Sequence, residues 1–200
     1  MKRIRSFVPA LAGIFVLLLA GCSEMNSPNQ PAPSQAALVA DGSQLALLPT
    51  DTLAPGEQAS LLYMREEEKL ARDIYLRMYE RWNVRVFNNI RQSEETHMSA
   101  ILTLLTRYTI PDPVGSNGIG VFVDPNLQEL YNQLIVRGST SLTEALAVGV
   151  LIEQTDIADL AAGLSVANHQ DIVRVYTNLL RASQNHLAAF TTQPRISVAK

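Results

Sequence analysis

The sequence predicts an all-α fold, a four-helix bundle of two helical hairpins joined by a long crossover that carries a short helix. Three observations carry this. Residues 57–110 and 126–193 contain no proline, whereas Pro111, Pro113 and Pro125 bracket the segment between them. Apolar residues recur every three or four positions through both proline-free stretches, which is the repeat of one helix face. Strand signals are nearly absent, GVFV at Gly120–Val123 being the one candidate.

The N-terminus comes before any of these elements. A basic MKRIRS is followed by the apolar run FVPALAGIFVLLLA and then GC. That run is too short and too one-sided for a spanning helix and has the layout of an export signal. Its ending, Leu18-Leu19-Ala20-Gly21-Cys22, resembles a bacterial lipoprotein signal. The resemblance implies that residues 1–21 are removed and that Cys22 becomes the lipidated first residue. Each buried acyl methylene contributes about 0.8 kcal/mol, so a multiply acylated terminus anchors stably. Ser23, not Asp, follows the cysteine, which by likeness to enterobacterial sorting implies the outer membrane, with the protein facing the periplasm. The expected localisation is thus the bacterial cell envelope. Cys22 is the only cysteine, so the fold must rest on its core or on bound metal and not on an internal disulfide.

Residues 22–56 hold five of the ten prolines among Ser, Asn, Gln and Ala. Such a composition cannot bury enough apolar area to offset its ordering entropy, so it reads as a flexible tether, with LALLP as a weak docking patch. The folded domain is expected over 57–193, followed by a short tail, 194–200. Its first helix runs from about Gln58 to Trp82 and its second from about Val86 to Tyr108. PDPVGSNGIGVFVDP is an irregular connection. A short helix covers Asn126–Val136 and stops at Gly138. The next begins at SLTE, where Ser141 and Glu144 fit a capping box, and runs to about Leu164. Asn168 is the expected cap of the last helix, which ends near Thr191.

Charge excludes one class of partner. Loss of residues 1–21 takes Lys2, Arg3 and Arg5 and leaves the rest more acidic than the whole chain's −3, so nucleic acid is not an expected ligand. Arg72, Arg77, Arg81, Arg85 and Arg91 alternate with acids and read as a solvated face. The membrane, through the anchor, is the expected partner, with a homodimer as the assembly to look for.

Each long helix interrupts its apolar stripe with a polar group midway. The first reads Leu61, Met64, Glu68, Ala71, Tyr75, Met78, and the second Phe87, Ile90, Glu94, His97, Ile101, Leu104, Tyr108. The third reads Leu142, Leu146, Gly149, Glu153, Asp156 or Ile157, Leu160. The fourth reads Ile172, Tyr176, Leu179, Ser183, His186 or Leu187, Phe190. An unpartnered buried carboxylate costs several kcal/mol, and four together, Glu68, Glu94, Glu153 and Asp156, also repel. Two divalent cations would balance them, with His97 and His186 as neutral nitrogen ligands. Glu94/His97 and Glu153/Asp156 have the i, i+3 spacing that shares a face. Carboxylate and imidazole without sulfur suit iron, manganese or zinc.

LLYMREEEKLARDIY, FNNIRQSEETHM, PDPVGSNGIGVFVDPNLQELY, ALAVGVLIEQTDIADL and DIVRVYTNLLRASQNHLAAF resemble the ferritin-like di-iron carboxylate superfamily. Within it they are most similar to the group known as domain of unknown function 2202, over about Ser60–Gln193. The superfamily pattern is one Glu, then Glu-x-x-His, then one or two acids, then Glu-x-x-His. By this likeness Glu68, with Tyr75 seven residues on as in rubrerythrin-like helices, takes the first place. Glu94 and His97 take the second, and Glu153 with Asp156 the third. The fourth departs from the pattern: Ser183-Gln184-Asn185-His186 has Ser where Glu is expected. Setting HMSAI against HLAAF places Glu94 opposite Ser183, as a diverged internal duplication would. One metal position is therefore weakened, with Asp156 as its compensation, and iron storage is not expected.

Other assignments stand beside these. Glu67, on the stripe Tyr63, Glu67, Leu70, Ile74, competes with Glu68 for the first ligand place. Glu66 is expected to be exposed, Glu95 exposed or supporting, and His169 on the surface or capping. Tyr75 and Tyr176 pack, each able to give a supporting hydrogen bond. Asp73, Asp159 and Asp171 cap or pair, and Trp82 and Phe87 are core. Two metals about 3.5–4 Å apart can polarise an oxygen species between them, so oxidase or peroxide-consuming activity is one expectation. The other is a non-enzymatic envelope scaffold or binding lipoprotein, whose inward polar residues form a hydrogen-bond network left from a metal-binding ancestor.

Overall fold

A computed structural model of the protein describes residues 51–193. The signal segment, Cys22, LALLP and the C-terminal tail lie outside the described residues. Among the described residues five helices follow in order: α1 Pro55–Trp82, α2 Arg85–Arg107, α3 Pro125–Gly138, α4 Leu142–Val166 and α5 Gln170–Thr191. Among the described residues there is no strand, and GVFV lies in turn and irregular backbone. No described helix is long and apolar enough to cross a membrane.

Local chemistry sets most ends. Pro55 occupies the first turn of α1, where its missing N–H costs nothing, and the Ala54 N–H donates to Glu57 Oε2 at 3.0 Å. Asn83 closes α1 in the left-handed region at φ 52° and leaves a two-residue link to α2. Asp124 and Ser141 cap α3 and α4 by accepting from the backbone N–H groups of Asn126 and Leu127 and of Glu144. His169, not Asn168, is the N-cap of α5, and it uses no side-chain cap of its own. Its place is taken by Glu57, which accepts from Asn168 N at 2.6 Å and His169 N at 3.0 Å.

α1 packs along α2, and α4 along α5. The two pairs meet through α1 with α4 and α2 with α5, while α3 lies on α4 and α1. Two apolar clusters form the core. One joins Leu70, Ile74, Tyr75, Met78, Phe87 and Phe190 with α3 and the start of α4. The other joins Leu61, Met64, Ile101, Leu104, Leu160 and Tyr176. Along every long helix the polar interruptions fall between the two.

The crossover overturns one expectation. Glu66 is 3% exposed, because residues 109–124 fold over the outer side of α1 and their backbone needs partners there. Glu66 accepts from Val123 N at 2.6 Å and Asp124 N at 2.9 Å. Arg65 grips Asp112 with two hydrogen bonds of 2.9 and 2.8 Å, Lys69 donates to Gly118 O at 2.8 Å, and Asp73 accepts from Gly120 N at 2.9 Å. Gly120 sits at φ +76°, and a Cβ there would lie 2.6 Å from the Tyr131 ring, so the close approach requires glycine. Arg72 and Arg91 are half-buried while Arg77, Arg81 and Arg85 are exposed. Phe87 is fully buried, but Trp82 is only half-buried, with its indole N–H on Gly138 O.

Candidate metal centre

Glu68 from α1, Glu94 and His97 from α2, Glu153 and Asp156 from α4, and Ser183 and His186 from α5 are all buried. Two compact groups arise. Glu68, Glu94 and His97 present ligand atoms within 4.8 Å of one another, and so do Glu94, Glu153 and His186. Glu94 belongs to both. Its Oε2 lies 2.7 Å from His97 Nδ1 and its Oε1 2.9 Å from His186 Nδ1. Glu68 Oε2 is 3.2 Å from His97 Nδ1, and Glu153 Oε2 is 3.4 Å from His186 Nδ1. Asp156 falls in neither group. It is hydrogen-bonded to Ser183, so its carboxyl reaches from α4 toward the position where α5 carries the short serine.

Supporting contacts fix the ligand atoms. The two imidazole rings stack at 5.5 Å with 20° between planes. Both turn Nδ1 toward the acids and Nε2 toward Ser93, whose Oγ is 3.0 Å from His186 Nε2 and 3.4 Å from His97 Nε2. One hydroxyl oxygen has two lone pairs and can accept from both rings, leaving each Nδ1 as the nitrogen that faces the acids and could bind a metal. Tyr75 OH donates to Glu153 Oε1 at 2.6 Å, the supporting bond foreseen for it, whereas Tyr176 OH meets Ser60. Glu95 is exposed and pairs with Arg91. His169 meets Glu57, and Asp73 and Asp171 are buried ion-pair partners of Lys69, Arg72 and Arg107.

The charges show how the cluster is balanced by protons. Burial alone would raise the Glu94 carboxyl, but the His97 and His186 charges outweigh it and hold Glu94 well below the usual range. Burial and the Asp156 charge push Glu68 up. Burial and Glu94 push Glu153 up, and burial with Glu94 and Glu153 lifts Asp156 to about 7. Against burial, the Glu94 and Glu68 charges raise His97 well above its usual value, and Glu94 and Glu153 raise His186 to about 10. Glu68 Oε1 and Asp156 Oδ1 are buried without a hydrogen-bond partner. Unsatisfied buried acceptors are uncommon. Two of them in one cluster of carboxylate oxygens and imidazole nitrogens fit a divalent cation of the iron, manganese and zinc class.

Sequence reasoning had no signal for Ser93, which lies on the same buried face as His97. Glu67 is also buried, 4% exposed, but it is in neither compact group; Glu68 takes the central position.

The fold and site define an all-helical protein with a buried carboxylate–imidazole layer. The chain belongs to the family described as "Uncharacterized protein domain (DUF2202)", which matches residues 57–195. It is 47% identical over 146 residues to the uncharacterized protein MJ0754 of Methanocaldococcus jannaschii, covering 73% of this chain and 79% of that protein. The crystal structure of MJ0754 superposes with a TM-score of 0.70 at 48% identity, covering 72% of this chain and 82% of the other. A DUF305 fragment from Deinococcus radiodurans shares the fold at 16% identity, with a TM-score of 0.57 over 70% of this chain and 96% of its own.

Proposed function

We propose that the protein is a lipid-anchored cell-envelope protein whose four long helices form a ferritin-like bundle that binds divalent metal, iron, manganese or zinc, in its core. The convergence of Glu68, Glu94, His97, Glu153, Asp156 and His186 from separate helices on one buried layer carries the reading. Glu68, Glu94 and His97 hold one cation, and Glu94, Glu153 and His186 a second. Asp156 supplies charge where Ser183 has replaced the fourth-helix carboxylate. A bound pair supplies Lewis acidity and, where the metal is redox-active, electron transfer suited to oxidase or peroxide-consuming chemistry. The chain's own contribution is placement: Ser93 sets both imidazoles, Tyr75 holds Glu153, and the apolar clusters on either side exclude bulk water. The sequence around Cys22 supports the anchor, and Ser23 supports the outer membrane.

The test is elemental analysis of untagged full-length protein. Stoichiometric metal that is lost when Glu94 and His97 are both replaced by Ala supports the proposal. Metal binding only the native state also raises apparent stability by mass action. One observation favours a second reading, a scaffold with a degenerate site: Glu94 between two protonated imidazoles is electrically satisfied without a cation. Protein that purifies free of metal, with a melting temperature indifferent to iron, manganese and zinc, selects that reading.

A further inference from the structure

Glu67 belongs to neither metal triad, yet its side chain is nine-tenths buried and its Oε2 has no partner. A buried acceptor without a donor is costly and calls for an explanation. Its other contact is outward, a hydrogen bond that the Glu67 carboxyl, kept protonated by burial and the Asp156 charge, donates to Asp159. Asp159 is half-buried, accepts from Tyr63 OH at 3.3 Å, and lines an open groove of about 300 Å³ between α1 and α4 with Ser60, Tyr63, Gly163 and Val166. Inward, Glu67 lies among the charges of Asp156 and Glu68, each of which also keeps a buried oxygen without a partner. Glu153, Asp156 and Asp159 are spaced three apart along α4, so each is a surface neighbour of the next and the row turns from the buried layer to half-buried Asp159. Carboxylates thus run in file from an open groove to the central layer, and the unpartnered oxygens lie along that file.

We propose that Asp159 and Glu67 form a transfer site through which hard divalent cations pass from the α1–α4 groove to the central layer. The proposal rests on the metal-binding reading above. Oxygen donors alone hold first-row divalent cations less tightly than the imidazole-bearing centre, so a cation resting on Glu67 moves inward. A waypoint of this kind speeds entry and exit equally and leaves the final affinity unchanged.

Stopped-flow mixing of the metal-free full chain with cobalt(II), followed by its visible absorption, reads the loading rate. Displacement by a chelator reads release. Asp159→Asn and Glu67→Gln are each expected to slow both rates about five- to tenfold, with cobalt stoichiometry and dissociation constant at wild-type values. Glu95→Gln removes an exposed acid on α2 and is expected to change neither rate. Wild-type rates in both groove variants overturn the route and leave the central site standing, as does equal slowing by Glu95→Gln. A fall in stoichiometry or affinity in Glu67→Gln makes Glu67 a ligand of the centre and also overturns the route. Failure of the wild-type chain to take up cobalt overturns the route together with the reading beneath it.

Discussion

Replacing Ser93 by Ala removes the oxygen that faces both imidazoles and nothing that would itself bind metal. Both Nε2 atoms then lie buried without an acceptor. Each buried donor left unsatisfied costs about 1–3 kcal/mol. The His186 contact, at 3.0 Å, should give most of this, and the His97 contact, at 3.4 Å, little. The metal-free variant is therefore expected to lose about 2–3 kcal/mol in urea unfolding, with an unchanged m-value, a large part of an ordinary domain's 5–15 kcal/mol. Loss of such a supporting bond also lowers metal affinity about 10–100-fold. Ser93→Thr keeps the oxygen and should restore affinity even if its methyl group costs some stability. That split separates a positioning role from simple packing. Ser93→Ala with wild-type affinity, and with stability within about 0.5 kcal/mol of wild type, refutes the shared-acceptor geometry.

Four further outcomes follow from the same structure. Glu68, Glu153 and Asp156 bind protons more tightly folded than unfolded, so metal-free stability should fall as pH rises from the ordinary carboxylate range through about 7, the value to which Asp156 is lifted. His186, raised to about 10, acts in the same sense at higher pH. Glu94 acts in the opposite sense, but only at and below the ordinary carboxylate range. Because a cation takes the place of these protons, the melting-temperature increment from zinc or manganese should grow between about pH 5 and 8. Glu66→Ala frees the Val123 and Asp124 N–H groups, each bonded to a charged acceptor at about 1.5–3 kcal/mol. A loss of about 2–4 kcal/mol and faster proteolytic cutting in 109–124 are expected. Gly149→Ala puts a methyl 2.6 Å from the Phe190 ring, which packs tilted against Tyr75 at 5.1 Å; overpacking of about 1–3 kcal/mol should show in thermal unfolding.

The helices were legible because prolines and a three-to-four-residue apolar repeat are local signals. Their ends were legible only where the cap is local. Ser141 caps α4 as its sequence says, although Glu144 pairs with Arg137 and does not close the box, but the N-cap of α5 is His169 and not Asn168. There the amide groups are taken by Glu57, more than a hundred residues away in sequence, and no nearby pattern announces such a partner. The central layer was legible for a related reason: each stripe is apolar on both sides of its polar member, so burial followed from periodicity alone. Whether a cation shares that burial depends on proton balance, which periodicity does not encode.

The run Arg65-Glu66-Glu67-Glu68-Lys69 shows where such reasoning stops. Five charged residues in succession span every direction around a helix, so a local reading sends at most one inward and the rest to water. All five are buried, because α1 has no solvent face along this stretch. Glu68 meets the imidazole of α2, Glu67 meets Asp159 of α4, and Arg65, Glu66 and Lys69 meet the crossover. A connection of this length without strands must find donors and acceptors for its backbone somewhere. The helix beside it, dense in charges of both signs, is the element able to supply them. The same burial that holds the crossover places Glu67 and Glu68 side by side under cover, one turned toward the groove partner and one toward the centre. The charged run is thus both the clamp of the fold and the inner part of its acidic file.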